Sequence, residues 1–130
     1  MRWARRAAVQ WQSAVSSSQV IEQIVAFISI HFPLQRKITI AGHNVQFDVN
    51  FLKVLFSENN EDFSKFFSHR IIDTSSILYY LYLAGYLKQR AISSDEAFDL
   101  FEIKVERRHT ALGDAIATAK LFTKLLSLTK

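Results

Sequence analysis

The sequence contains no cysteine among its 130 residues, which excludes disulfide bonds and thiolate zinc sites. No apolar run approaches the ~20 residues that a membrane-spanning helix needs. Near the N-terminus, Arg5 and Arg6 interrupt the apolar stretch that a secretory signal requires. Repeats and low-complexity linkers are also lacking. We therefore expect a single domain over residues 1–130, located in the cytoplasm and without a membrane partner.

The composition is that of a folded protein with a modest basic excess. Hydrophobic residues make up 49% of the chain and include eleven phenylalanines, which argues against disorder. The net charge is +4 and the isoelectric point is near 9.5. This charge suits a polyanionic partner, although many enzymes that bind no nucleic acid are equally basic.

Hydrophobic periodicity and turn residues predict an α/β domain. The strand signals lie at residues 37–41 and 70–73, and the first of these predicts a buried strand. Helical signals cover residues 1–15 and 20–32, in an N-terminal helical part that ends at residue 32, and then 45–57, 74–87, 95–101 and 110–126. Thr74 or Ser75 is the predicted cap of the fourth of these helices. The last helix is predicted to bury Leu112, Ile116, Ala119, Phe122 and Leu126.

The most informative stretch follows the first predicted strand. Gly42 allows the chain to turn, and Asn44 can cap the next helix. Asp48 then lies about one turn into a largely apolar helix. A carboxylate just beyond a strand is where α/β folds place their chemistry. The spacing alone is equally compatible with a solvated carboxylate that favours the positive end of the helix dipole.

Three ordered patterns extend this observation. The pattern His-Asn-x-x-Phe-Asp-x-x-x-Leu is formed by His43, Asn44, Phe47, Asp48 and Leu52. The pattern His-x-Ala-x-x-Asp-Ala is formed by His109, Ala111, Asp114 and Ala115. Between them, the second predicted strand ends in Ile72, Asp73 and Thr74. Each pattern is weak alone, whereas three matches in the same order are specific.

Together the patterns resemble the DEDDh 3′–5′ exonucleases, which include the proofreading subunit of bacterial DNA polymerase III, RNase T and oligoribonuclease. The resemblance covers residues 37–126. It implies a ribonuclease-H-like fold, whose central sheet has five strands. It also implies hydrolytic removal of nucleotides from single-stranded DNA or RNA 3′ ends, with Mg²⁺ or Mn²⁺ as cofactor.

The resemblance also implies roles for individual residues. Asp114 would bind the metal that activates water, Asp48 would help to hold the metals, and His109 would be the general base. His43 and Asn44 are the candidates for substrate contact. Asp73 matches a position that caps or forms a turn, so we expect it to be structural rather than a metal ligand.

The sequence departs from the family in one large respect. The family's first motif, Asp-x-Glu at the end of the first strand, has no counterpart, because Glu22 is the only acidic residue before Asp48. Three explanations are open: a fragment of a longer exonuclease, a chain whose sheet a second chain completes, or a non-catalytic relative that keeps a nucleic-acid-binding or scaffold role. Two carboxylates alone are expected to hold Mg²⁺ poorly.

Four tyrosines at near-helical spacing have two interpretations. They could form a platform on which bases stack, or they could be ordinary half-buried packing residues. They are Tyr79, Tyr80, Tyr82 and Tyr86.

Overall fold

The structure is a computed structural model that describes residues 13–32, 36–106 and 110–128. Most of the helix predicted over 1–15 and the predicted base His109 lie outside these ranges, and residues 13–15 are not helical. The described residues form six helices and a two-stranded parallel sheet. In chain order these are α1 Ser17–His31, β1 Ile38–Gly42, α2 Gln46–Glu58, α3 Phe63–Phe66, β2 Phe67–Asp73, α4 Thr74–Leu83, α5 Ser94–Leu100 and α6 Ala111–Ser127.

The chain divides into two compact units. One comprises the chain up to Ile38 together with Phe51–Phe67, and the other comprises Thr39–Asn50 together with the chain from Ser68 onward. None of the helices in the described ranges combines the length and apolar character needed to cross a membrane.

An aromatic cluster forms the core of the first unit. The side chain of Phe56 is completely buried. Its ring centroid lies 5.7 Å from that of Phe63, 5.9 Å from that of Phe66 and 5.8 Å from that of Phe67, in edge-on arrangements. Such edge-to-face contacts stabilise a core beyond the area they bury. They fix the turn from α2 through the short α3 into β2.

The core of the second unit lies among α4, α5 and α6. Its members are the buried residues Leu78, Leu81, Ala91, Ala97, Phe98, Ile103, Ala117, Leu121 and Leu125. Side-chain caps begin α5 and α6. Ser93 accepts a hydrogen bond from the Glu96 N–H at 3.1 Å, and Thr110 accepts one from the Gly113 N–H at 3.1 Å. These caps satisfy amide groups that the first helical turn leaves unpaired.

The predicted buried face of α6 is wrong. Leu112, Ile116 and Leu126 are about half exposed or more, whereas Ala117, Leu121 and Leu125 are buried. Apolar residues occur nearly all around this helix, so periodicity alone could not identify the face that packs. The packed face is the one that meets α4 and α5.

Both predicted strands are present with shifted bounds. β1 is displaced by one residue from the predicted 37–41, and β2 begins at Phe67 rather than at residue 70. The prediction that β1 is buried is wrong, because Thr39 and Ala41 are exposed and Ile38 and Ile40 are only half-buried. The reason is that β1 pairs with β2 alone within the described part of the chain.

The open edge of β1 generates a prediction. Main-chain groups on such an edge are a template for pairing, and two parallel strands are too few for a stable covered sheet. We expect a strand from a second copy or another protein, or the N-terminal segment, to cover this edge. Sedimentation should then reveal association, or amide exchange should show Ile38, Thr39 and Ile40 as protected as the β2 amides. A monodisperse monomer in which these three amides exchange freely, with no loss of stability, would contradict the prediction.

Candidate active site

The second unit contains a cleft of about 850 Å³ at the carboxyl end of β1. The end of β1, the following loop and the start of α2 line one part of it. α5 with its cap Ser93, α6 and the first residue of α4 contribute the others, and none of the β2 residues lines it. Along α6 the lining is small and apolar, with Ala111, Ala115 and Ala119 spaced one helical turn apart. The polar lining residues are His43, Asn44, Asp48, Thr74, Ser93, Ser94, Asp114, Thr118 and Thr123.

The two predicted metal ligands, Asp48 and Asp114, line this one cleft, and so do the predicted substrate contacts His43 and Asn44. Each lies in the first turn of its helix, Asp48 in α2 and Asp114 in α6. The positive end of the helix dipole favours a carboxylate in the first turn. Asp48 is exposed and Asp114 is half-buried. Thr110, the cap of α6, directly follows the predicted base His109 in the sequence, and His109 lies outside the described residues.

A set of hydrogen bonds, which we call the clasp, joins the loop after β1 to the start of α4. One carboxylate oxygen of Asp73 accepts the Asn44 N–H at 2.9 Å and the Ser75 N–H at 3.0 Å. The Ser75 hydroxyl donates in turn to the side-chain oxygen of Asn44 at 2.9 Å. Asp73 is therefore the cap of α4, as its expected structural role requires, and the prediction of Thr74 or Ser75 as cap is wrong.

Thr74 is the buried centre of the clasp. Its side chain is completely buried, and its hydroxyl donates to the Gly42 carbonyl at 3.2 Å. The same oxygen lies 3.0 Å from Nδ1 of His43. A hydroxyl has one proton to donate, so His43 must be the donor in this second bond. The Nδ1 atom therefore carries a proton, and Nε2 of His43 is buried without a hydrogen-bond partner among the described residues.

The turn before α2 contains two positions, 42 and 44, at which few residue types fit. A Cβ atom at Gly42 would lie 2.7 Å from Cγ2 of the buried Val45, the residue before α2, so a larger residue at position 42 would require the turn to shift. Asn44 has a φ of 55°, a left-handed conformation that asparagine tolerates better than most residues. Its side chain bonds Ser75 rather than a helix amide, so the prediction that Asn44 caps α2 is wrong.

Sequence reasoning overlooked Thr74 and Ser75 as parts of the site. Their partners lie about 30 positions away in the chain, so no local pattern indicates the bonds. The available signal is an Asp-Thr-Ser run placed directly after a strand. In that position, short polar side chains have a neighbouring loop within reach. Phe98 of α5, which also lines the cleft, carried no functional signal.

The metal-binding capacity of the described residues is limited. Within residues 13–32, 36–106 and 110–128, no three His, Cys, Asp or Glu side chains form a group that could hold a metal ion. Mg²⁺ is held by carboxylates in near-octahedral oxygen coordination, and Mn²⁺ prefers similar ligands. Asp48 and Asp114 therefore do not fit a two-metal site by themselves.

Comparisons of the chain with protein-family models, with curated protein sequences and with solved structures gave no significant match. Any functional assignment therefore depends on the residues of the cleft and on the motifs that carry them.

The clasp predicts a specific stability difference at Thr74. Thr74→Val keeps the shape of the side chain but leaves the Gly42 carbonyl and the His43 Nδ1–H without their partner. We expect it to lower the free energy of unfolding by about 1–3 kcal/mol for each group left buried and unpaired. Thr74→Ser keeps the hydroxyl and loses one methyl group, so we expect it to lower the free energy of unfolding by about 1 kcal/mol. Urea denaturation compares the two, and equal losses would contradict the role given to the hydroxyl.

Proposed function

We propose that this chain is a metal-dependent 3′–5′ exonuclease of the DEDDh class with a ribonuclease-H-like fold. Its substrate in this proposal is the 3′ end of single-stranded DNA or RNA. The observation that carries the proposal is the shared cleft of Asp48 and Asp114, which come from two different motifs. The carboxyl end of a strand in an α/β domain is also where such folds bind their ligands.

The proposed reaction needs an attacking water, a base and stabilisation of charge on the phosphate. In the proposal, His109 takes the proton from the attacking water, and the remaining residues of the cleft position the terminal nucleotide. Divalent cations held in such a site would supply neutralisation of the charge that develops on the attacking and leaving oxygens. Asp48 and Asp114 would be two of the ligands.

The carboxylates that the described residues lack must come from another segment in this proposal. The open edge of β1 and the lining of the cleft by Ile40, Ala41 and Gly42 support a further strand beside β1. A strand there would end beside Asp48, because Asp48 follows the carboxyl end of β1 within a few residues. This segment could belong to a longer form of the chain or to a second chain.

A second candidate function is nucleic-acid binding without cleavage. The observation that favours it is that only Asp48 and Asp114, among the described carboxylates, line the cleft. The basic net charge of +4 supports binding of a polyanion equally under both proposals. The two differ in whether addition of the missing carboxylates produces turnover.

A nuclease assay separates them. The 130-residue chain should degrade 3′-labelled single-stranded oligonucleotides slowly or not at all with Mg²⁺ or Mn²⁺. A form that also bears an Asp-x-Glu strand should degrade them from the 3′ end. In that form, His109→Ala should lower the rate roughly 10²-fold or more, the size of a general-base contribution.

The matched control is His69→Ala, because His69 is exposed on β2 and lies outside the cleft. It should leave the rate unchanged. Robust turnover by the 130-residue chain would contradict the account of the missing carboxylates. Retained binding without turnover by the longer form would favour the second candidate.

A further inference from the structure

A smaller cavity of about 260 Å³ lies in the second unit and shares Asn44 with the cleft. Its other lining residues come from the first turns of α4 and from the segment before α5. They are Ser75, Ser76, Tyr79, Arg90, Ala91 and Ile92. The shared Asn44 makes this cavity a neighbour of the cleft along the loop that carries the clasp.

Tyr79 and Arg90 form the distinctive feature of this cavity. The guanidinium carbon of Arg90 lies 4.8 Å from the centroid of the Tyr79 ring, a cation–π contact. Both side chains are exposed, and 45% of the Tyr79 surface is accessible. The pair therefore presents an aromatic ring and a positive charge to solvent.

The charge of Arg90 is available to a ligand. No carboxylate in the described ranges forms an ion pair with its guanidinium, and no side chain there accepts a hydrogen bond from it. The acid that interacts with its charge is Glu96. One carboxylate oxygen of Glu96 accepts hydrogen bonds from the N–H groups of Ile92 and Ser93, at 2.6 and 3.3 Å. These two bonds are the main reason that the pKa of Glu96 is lowered, with Arg90 a smaller cause.

We propose that Tyr79 and Arg90 form a subsite for one nucleotide of a single-stranded nucleic acid, next to the cleft. This proposal rests on the proposed function and adds the path of the strand to it. A base stacks on an aromatic ring or a guanidinium plane, and the guanidinium attracts the phosphate. Exposed Ile92 and the Ser76 hydroxyl complete a lining that suits a base and a sugar.

The tyrosines of α4 are therefore not equivalent as candidates for base stacking. Tyr79 lines the smaller cavity beside the Arg90 cation. Tyr80 is 67% exposed and lines neither this cavity nor the cleft. Tyr80→Ala is accordingly the matched control for Tyr79→Ala. Both changes remove an exposed ring from the same helix.

The test measures binding of a fluorescein-labelled oligothymidylate of about ten nucleotides in the presence of EDTA, so that cleavage plays no part. Tyr79→Ala should weaken binding about fivefold or more, while Tyr79→Phe and Tyr80→Ala should leave it unchanged. Arg90→Ala should weaken binding and reduce the slope of log K against log salt concentration by about 0.7. In nuclear magnetic resonance titrations, the Arg90 side-chain signals should shift.

Several results would overturn the proposal. They are no binding by the wild-type chain, equal losses in Tyr79→Ala and Tyr80→Ala, or an unchanged salt slope in Arg90→Ala. The proposed function fails separately, through absence of turnover in the form with added carboxylates. If Tyr79 and Arg90 contribute to binding but the form with added carboxylates shows no turnover, only the proposed function fails. If that form shows turnover but Tyr79→Ala does not affect binding, only the subsite proposal fails.

Discussion

The arrangement of the second unit depends on the hydrogen bonds that tie the ends of its two parallel strands together. Asp73 is the last residue of β2 and Thr74 follows it. Together they form hydrogen bonds with Gly42, His43 and Asn44, at the end of β1. Parallel strands are paired by a ladder that ends with the strands, so the turns beyond them need separate support. The clasp supplies it, and loss of the bonds at its centre is costly because the Thr74 side chain is completely buried.

The clasp and the helical core position the two carboxylates by independent means. The close approach of Gly42 to Val45 fixes the start of α2, and Asp48 follows within its first turn. Asp114 is placed by α6, which packs on α4 and α5 through a different set of residues. Each carboxylate is therefore carried by a helix that different contacts hold in place, and neither aspartate is fully buried.

Local signals were predictable from the sequence, and long-range ones were not. The caps at Ser93 and Thr110 follow from short-range hydrogen bonding, and the two strands follow from β-branched runs between turn residues. The buried face of α6 could not be predicted, since the helix is apolar on several sides and only packing selects one. The bonding of Thr74 to the loop after β1 joins two turns that the sequence separates, so it required the fold. The convergence of Asp48 and Asp114 was predicted from motifs rather than from periodicity.

The central proposal is that Asp48 and Asp114 belong to one cation site, together with carboxylates from a further segment. The most direct test adds sub-stoichiometric Mn²⁺ to the isotope-labelled form that also bears the Asp-x-Glu strand and records paramagnetic broadening. The account predicts that amide signals around Asp48 and Asp114 broaden together with the ring signals of His109. Asp114→Asn should abolish the broadening at Asp48, while Asp99→Asn, which changes an exposed acid outside the cleft, should not. Broadening at Asp48 that survives Asp114→Asn, or no broadening at either aspartate, would contradict it.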